Sequence, residues 1–196
     1  MTKAPIEEFI VADANAWREW LDKNETASDG VWLVLAKKGA EHPTTLRYDQ
    51  ALDEALCSGW IDGQKRGRDA HSFLQRFTPR RRASMWSQRN IGIVTMLTEQ
   101  GRMRAQGQAE IDRAKSDGRW DRAYAGQATA EVPADLAAAL STSPQAAAAF
   151  AALTKAERYQ HIIQVATATT PATRARRIAK SARVLEESQQ ADQKQR

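Results

Sequence analysis

The chain has 196 residues, is 42% hydrophobic and 27% charged, and carries a net charge of +5, a composition that excludes fibrous and intrinsically disordered classes. No apolar run approaches the roughly 20 residues a membrane-spanning helix needs, and the single cysteine, Cys57, excludes an internal disulfide. Glu7 and Glu8 interrupt the early apolar patch, so the sequence reads as a cytoplasmic protein with no secretory signal and no membrane insertion.

Asp13 to Asn24 is expected to be a helix, with Trp17, Trp20 and Leu21 on one face. Ser28-Asp29-Gly30 marks a turn. Val31 to Ala36 is a continuous apolar run and reads as a strand buried on both faces. Tyr48 to Cys57 forms a second helix, burying Leu52, Ala55 and Leu56 and leaving Asp49, Asp53 and Glu54 to water. Trp60-Ile61-Asp62 reads as a strand that enters a hairpin turn at Asp62-Gly63. Ser72 to Phe77 is its partner, with Phe73, Gln75 and Phe77 on one side and Leu74 and Arg76 on the other. From about Ser84 the spacing turns helical, with Ile91, Val94 and Leu97 aligned and Gly101 as the stop. A further helix is expected from Gln106 to Asp117.

Gly126 to Glu131 reads as a linker. Helices follow, opened by Pro133, by Ser143-Pro144, by a capping box at Thr154 to Glu157, and by Thr170-Pro171. The expected fold class is α+β. A small antiparallel sheet with helices fills the N-terminal two-thirds, and the C-terminal region is all-helical. The corresponding domains are 1–128 and 129–186, with a disordered tail over 187–196.

Charge is unevenly spread. Residues 65–89 hold eight basic side chains against one acid, and residues 158–185 hold six against none. Two basic segments on an otherwise acidic chain favour anionic partners, unless the protein's own acids pair with them.

The strings ALDEALCSGWIDG (Ala51 to Gly63), FTPRRRASMWSQRN (Phe77 to Asn90), GRM (Gly101 to Met103) and AKSDGRWDRAY (Ala114 to Tyr124) resemble the YdeI/OmpD-associated family, also called bacteriocin-protection proteins. VPADLAAAL (Val132 to Leu140) and TPATRARRI (Thr170 to Ile178) are similar to that family's short C-terminal helical region. The resemblance implies a bacterial protein linked to an outer-membrane porin and to protection against bacteriocins or cationic peptides. It implies no particular reaction and no catalytic residues.

The residues themselves exclude much chemistry. His42, His71 and His161 lie far apart and Cys57 has no second thiol, so neither a metal site nor a cofactor is expected. Phosphate-binding glycine loops and a GxSxG elbow are missing. Cys57 reads as a buried structural thiol. Two segments invite a site. Trp60 and Asp62 alternate onto one side of their strand, where an indole beside a carboxylate favours a general base; Asp62 equally suits a turn cap. Thr78-Pro79 then releases Arg80, Arg81 and Arg82 in divergent directions, followed by Ser84 and Trp86. A guanidinium from this run, Arg80, suits an oxyanion partner or an internal salt bridge. Ser84 is placed to cap the next helix.

Trp60, Arg80, Ser84, Trp86 and Tyr124 are thus the expected ligand-binding residues, and Asp62 and Arg80 the expected catalytic pair if there is a reaction. The first functional reading is a stress or bacteriocin-protection protein that binds a small aromatic or anionic ligand, or a peptide, without catalysis. The second is an enzyme acting on a carbonyl or epoxide. The third is a non-specific nucleic-acid binder using the basic segments.

Overall fold

A computed structural model describes residues 7–194. It divides into two units, one formed by the residues up to Ser84 together with Asn90–Trp120, the other by Met85–Arg89 with the chain from Asp121 onward. The fold is α+β, and its C-terminal region is helical.

The first unit is built on a four-stranded sheet of β1 (Glu8–Phe9), β2 (Val31–Ala36), β3 (Trp60–Gly67) and β4 (Ser72–Pro79), in the order β1-β2-β4-β3. The pairs β2/β4 and β3/β4 are antiparallel, whereas the two-residue β1 adds a parallel edge that no sequence pattern announced. Helices α1 (Ala14–Asn24), α2 (Tyr48–Cys57), α3 (Gln88–Glu99) and α4 (Ala105–Ser116) complete the elements before Trp120. Asp13 caps α1 by accepting the amide of Ala16 at 2.9 Å, which satisfies one of the orphan donors at a helix start.

The core of this unit is aromatic. Trp17 stacks on Trp20 at 5.2 Å, and Trp60 meets both edge-on at 6.2 and 5.7 Å. Phe77 and Phe9 close the cluster. The indole N–H groups are satisfied by backbone oxygens: Trp17 donates to Ala51 at 3.1 Å and Trp60 to Glu25 at 3.0 Å. Large rings with satisfied polar tips bury much area at little polar cost.

Asp62-Gly63 is not a turn. β3 runs through both residues to Gly67, with a register shift between Asp62 and Lys65. The hairpin reverses over residues 68–71, where Asp69 accepts the amides of His71 and Ser72 and the hydroxyl of Ser72. That Ser72 bond, with the backbone donors, brings the Asp69 carboxyl down to about 2. A carboxylate gathering three donors from the turn itself, and a fourth from Arg68, outcompetes the Asp-Gly dipeptide as the turn former, and Gly63 becomes part of a bulge.

The second unit contains α5 (Ala134–Ser141), α6 (Pro144–Ala152), α7 (Lys155–Ala166) and α8 (Pro171–Lys194). Ser143 caps α6 through Ala146. Thr154 and Glu157 form the capping box expected for α7, with Glu157 N–H donating to Thr154 Oγ1 at 3.3 Å and Thr154 N–H to Glu157 Oε2 at 2.8 Å. Leu136, Leu140, Ala146, Ala149, Val165 and Leu185 make its core, with Phe150, Leu153, Ile178 and Ala182 packed on it. The alanines of α5 and α6 favour helix and let helices approach closely. α8 continues to Lys194, and Gln195 and Arg196 lie outside the described residues. No helix among the described residues is long and apolar enough to cross a membrane.

Candidate functional site

Three constellations in the molecule concentrate chemistry. The first is a buried ion network under α2. Glu54 is only 8% exposed, which corrects the expectation that it faces water. Its carboxylate receives Arg102 at 2.6 Å and Arg104 at 2.9 Å. Arg104 also meets Asp22 at 2.5 Å, the Ser58 hydroxyl at 2.9 Å and the Glu54 carbonyl at 3.1 Å. Helical spacing alone assigned Glu54 to solvent; Gly101 to Arg104 brings two guanidinium groups over it. The same segment fixes Cys57, whose carbonyl accepts the Arg104 amide at 3.1 Å. Gly107 of α4 lies so close that an added Cβ would stand 2.1 Å from the Cys57 oxygen. Burial, and then Glu54, push the Cys57 thiol up from 9.0 to about 11.

The thiolate is the reactive form. The folded protein is therefore expected to leave Cys57 unmodified by iodoacetamide or a disulfide reagent at mildly alkaline pH, and denaturant should expose one reactive thiol per chain. Rapid labelling of the native protein would show that Cys57 is not held this way.

The second constellation holds the residues singled out from the sequence. Trp60 is fully buried in the aromatic core. Asp62, half-buried, accepts the Tyr48 hydroxyl at 2.8 Å. Arg80 is 6% exposed, and its amide donates to Gly59 at 3.0 Å. Ser84 does not cap the following helix, which starts four residues later. Its hydroxyl accepts the Arg81 amide at 3.0 Å, and its carbonyl accepts Arg119 at 2.8 Å. Arg119 is in turn clamped by Asp117. These four residues belong to the first unit. Trp86 and Tyr124 belong to the second, where they are joined directly: the Tyr124 amide donates to the Trp86 carbonyl at 3.0 Å, and the Gln88 amide to the Tyr124 carbonyl at 2.9 Å. Trp86 is buried there.

The third constellation was not foreseen. A cleft of about 370 Å3 opens at the start of β2, lined by Glu7, Glu8, Phe9, Trp20, Ser28, Gly30, Val31, Trp32 and Arg76. None of Trp60, Asp62, Arg80 or Ser84 takes part in it. Register builds it. Trp32 stands opposite Glu8 on β1 and opposite Arg76 on β4, so the three side chains share one face of the sheet. Phe9 and Trp20 close it from the helix side, with their rings 4.9 Å apart.

Gly30 permits the approach of Arg76. Its φ is +118, and a Cβ there would stand 2.5 Å from the Phe77 oxygen and 3.0 Å from Arg76 Nη2. Only glycine accepts both conditions. Among the described residues, Arg76 donates one long bond, 3.3 Å to the Asp29 carbonyl, and no carboxylate lies within ion-pair distance. Glu8, its neighbour in the cleft, is engaged by Arg68 at 2.8 Å. The Arg66 guanidinium lies over the Trp32 ring at 4.5 Å, a cation–π contact that holds the indole upright. Alternation along β4 already set Arg76 apart from Phe73 and Phe77, so half of this signal was present in the sequence. The cross-strand pairing that joins Arg76 to Trp32 was not.

Comparison with known proteins gives matches to two family models. A model described as a domain of unknown function (DUF8412) matches residues 9–110. One described as "Bacteriocin-protection, YdeI or OmpD-Associated" matches residues 129–188, the segment of α5 to α8. No curated protein and no solved structure matches the chain. With more than half of its length matched by the first model, and its C-terminal helices by the second, the chain belongs to the DUF8412 family and carries the domain of the bacteriocin-protection, YdeI- or OmpD-associated family.

Proposed function

We propose that this protein acts in bacteriocin or stress protection as a binding protein, taking a small flat aromatic ligand with a carboxylate into the cleft of Trp20, Trp32 and Arg76. The observation that carries the reading is Arg76, a half-buried guanidinium that has no carboxylate within ion-pair distance among the described residues and stands beside an indole wall. A guanidinium offers two parallel donors to a planar carboxylate. Indole and phenyl rings supply offset and edge contacts to a flat ligand. The volume, about 370 Å3, falls in the range of small-molecule pockets. Glu8 is engaged by Arg68, which it shares with Asp69, so Arg76 is the cation of the lining left to meet an anion.

Indole-3-acetate and benzoate are suitable probes, with neutral indole as the control. The carboxylates are expected to give a calorimetric binding signal and raise the melting temperature, and indole to do so weakly. Arg76→Gln should weaken the carboxylates by about 10-fold or more, as loss of a charged hydrogen bond worth about 1.5–3 kcal/mol requires. Equal binding of indole and indole-3-acetate, or an undiminished response in Arg76→Gln, would remove Arg76 from the site. The absence of any response would end the reading.

A further inference from the structure

The basic segment 158–185 splits into used and unused charge. Arg174 is spent inside the second unit: it grips Asp135 at 2.6 and 2.8 Å and donates to the Val165 carbonyl at 3.0 Å. Among the described residues, Arg183 makes a long, exposed approach to Glu187 at 3.8 Å. Arg176 and Lys180 are exposed and have no acid within ion-pair distance among the described residues. Arg177 is anchored by its Nη1, which donates to the Gln164 carbonyl at 2.6 Å and to the Thr167 hydroxyl at 3.3 Å. Its other donors keep their charge and direction.

These side chains surround one groove. It lies between α7 and α8, has a volume of about 370 Å3, and is lined by Ile163, Gln164, Thr167, Arg176, Arg177 and Lys180. Three cations and no carboxylate line a concave surface. Arg176, Lys180 and Arg183 fall four and three residues apart, which puts them on one side of α8 at steps of about 6 and 4.5 Å of axial rise. We infer that this groove of the C-terminal helices binds the phosphodiester backbone of a nucleic acid, independently of the cleft beside Trp32.

A regular chain of single negative charges fits a row of cations on one helix side. The groove is open, and its cations run in line along one helix instead of spreading over a face, which suits a strand rather than a flat bilayer. The groove has no aromatic platform on which bases would stack, so the contact is to phosphate and indifferent to sequence. Arg177 arrives preorganised, and Arg176 and Lys180 supply mobile charge on either side.

Fluorescence anisotropy of a labelled oligothymidylate with the full chain tests this. Engagement of three cations gives a slope of log K against log salt of about −2, at about 0.7 per phosphate for a single strand. Arg176→Gln with Lys180→Gln should reduce that slope to about −0.7 and lower the affinity about 10-fold or more at low salt. Both residues are exposed, so unchanged circular dichroism is expected to accompany the loss. Lys180→Glu alone should weaken binding further than Lys180→Gln. The inference is overturned if the oligonucleotide does not bind at low salt, or if the double variant binds as the parent does. It is equally overturned if polyglutamate or anionic phospholipid vesicles bind more tightly than the oligonucleotide, which would assign the groove to an acidic protein or a membrane surface.

Discussion

Replacement of Glu54 by Ala is expected to destabilise the first unit by about 3 kcal/mol, the low end of the cost of removing one partner of a buried ion pair, because Asp53 and Asp22 remain beside the two guanidinium groups. Glu54 is nearly inaccessible and receives both Arg102 and Arg104. Its removal takes the nearer carboxylate from Arg102, which keeps Asp53 at 3.7 Å, and one of two carboxylates from Arg104, which is itself mostly covered and keeps Asp22. Glu54→Gln keeps the shape and removes the charge, and should fall between the parent and Glu54→Ala. Arg104 also holds Asp22 and the Ser58 hydroxyl, so the double variant with Arg104→Ala should cost less than the sum of the single variants. Urea unfolding followed by tryptophan fluorescence measures all of these. A loss below about 1 kcal/mol for Glu54→Ala, the level of an exposed pair, would show that the network contributes no more than surface charges do.

Trp60→Ala is the second large effect. The side chain is fully buried, touches Trp17 and Trp20 edge-on and bonds Glu25. Truncation opens a cavity among rings that have few ways to collapse, and the cost of such changes is about 3–5 kcal/mol. At several degrees per kcal/mol, the melting temperature should fall by more than about 10 °C. Trp60→Phe retains most of the area, loses the bond to Glu25, and should cost distinctly less. The contrast with Trp32 is informative. Trp32 is half-exposed in the cleft, so Trp32→Ala should change stability less than Trp60→Ala, and under the proposed function should weaken indole-3-acetate binding. If Trp60→Ala left the melting temperature unchanged, the aromatic core would not be the centre of this unit.

The α+β class and the C-terminal helices were legible because helical spacing and cap chemistry are local. Thr154 and Glu157 sit three residues apart and find each other regardless of the rest of the chain. Trp60 and Asp62 were legible as neighbours on a strand, but not in their roles. Which one packs and which one hydrogen-bonds depends on α1 and on Tyr48, which are distant in sequence. The Asp-Gly pair misled because turn preference is weaker than a carboxylate that gathers three donors, and Asp69 won. Glu54 misled for a similar reason: its partners come from Arg102 and Arg104, nearly 50 residues away. The cleft depends on register, which sets Trp32 against Arg76, and register leaves no mark in the composition of a single strand.

The open edge of the sheet at β3 has a consequence for the company this protein keeps. β3 ends the strand order, and Gly63, Gln64 and Lys65 are exposed there. An edge strand is a template on which another chain can build. This one is irregular at its middle, where the register shifts between Asp62 and Lys65, and it carries Lys65 and Arg66 in succession. An identical edge brought alongside would set like charges against like and meet a bend where it needs a straight row of amides. Such an edge disfavours strand-to-strand pairing with its own copy.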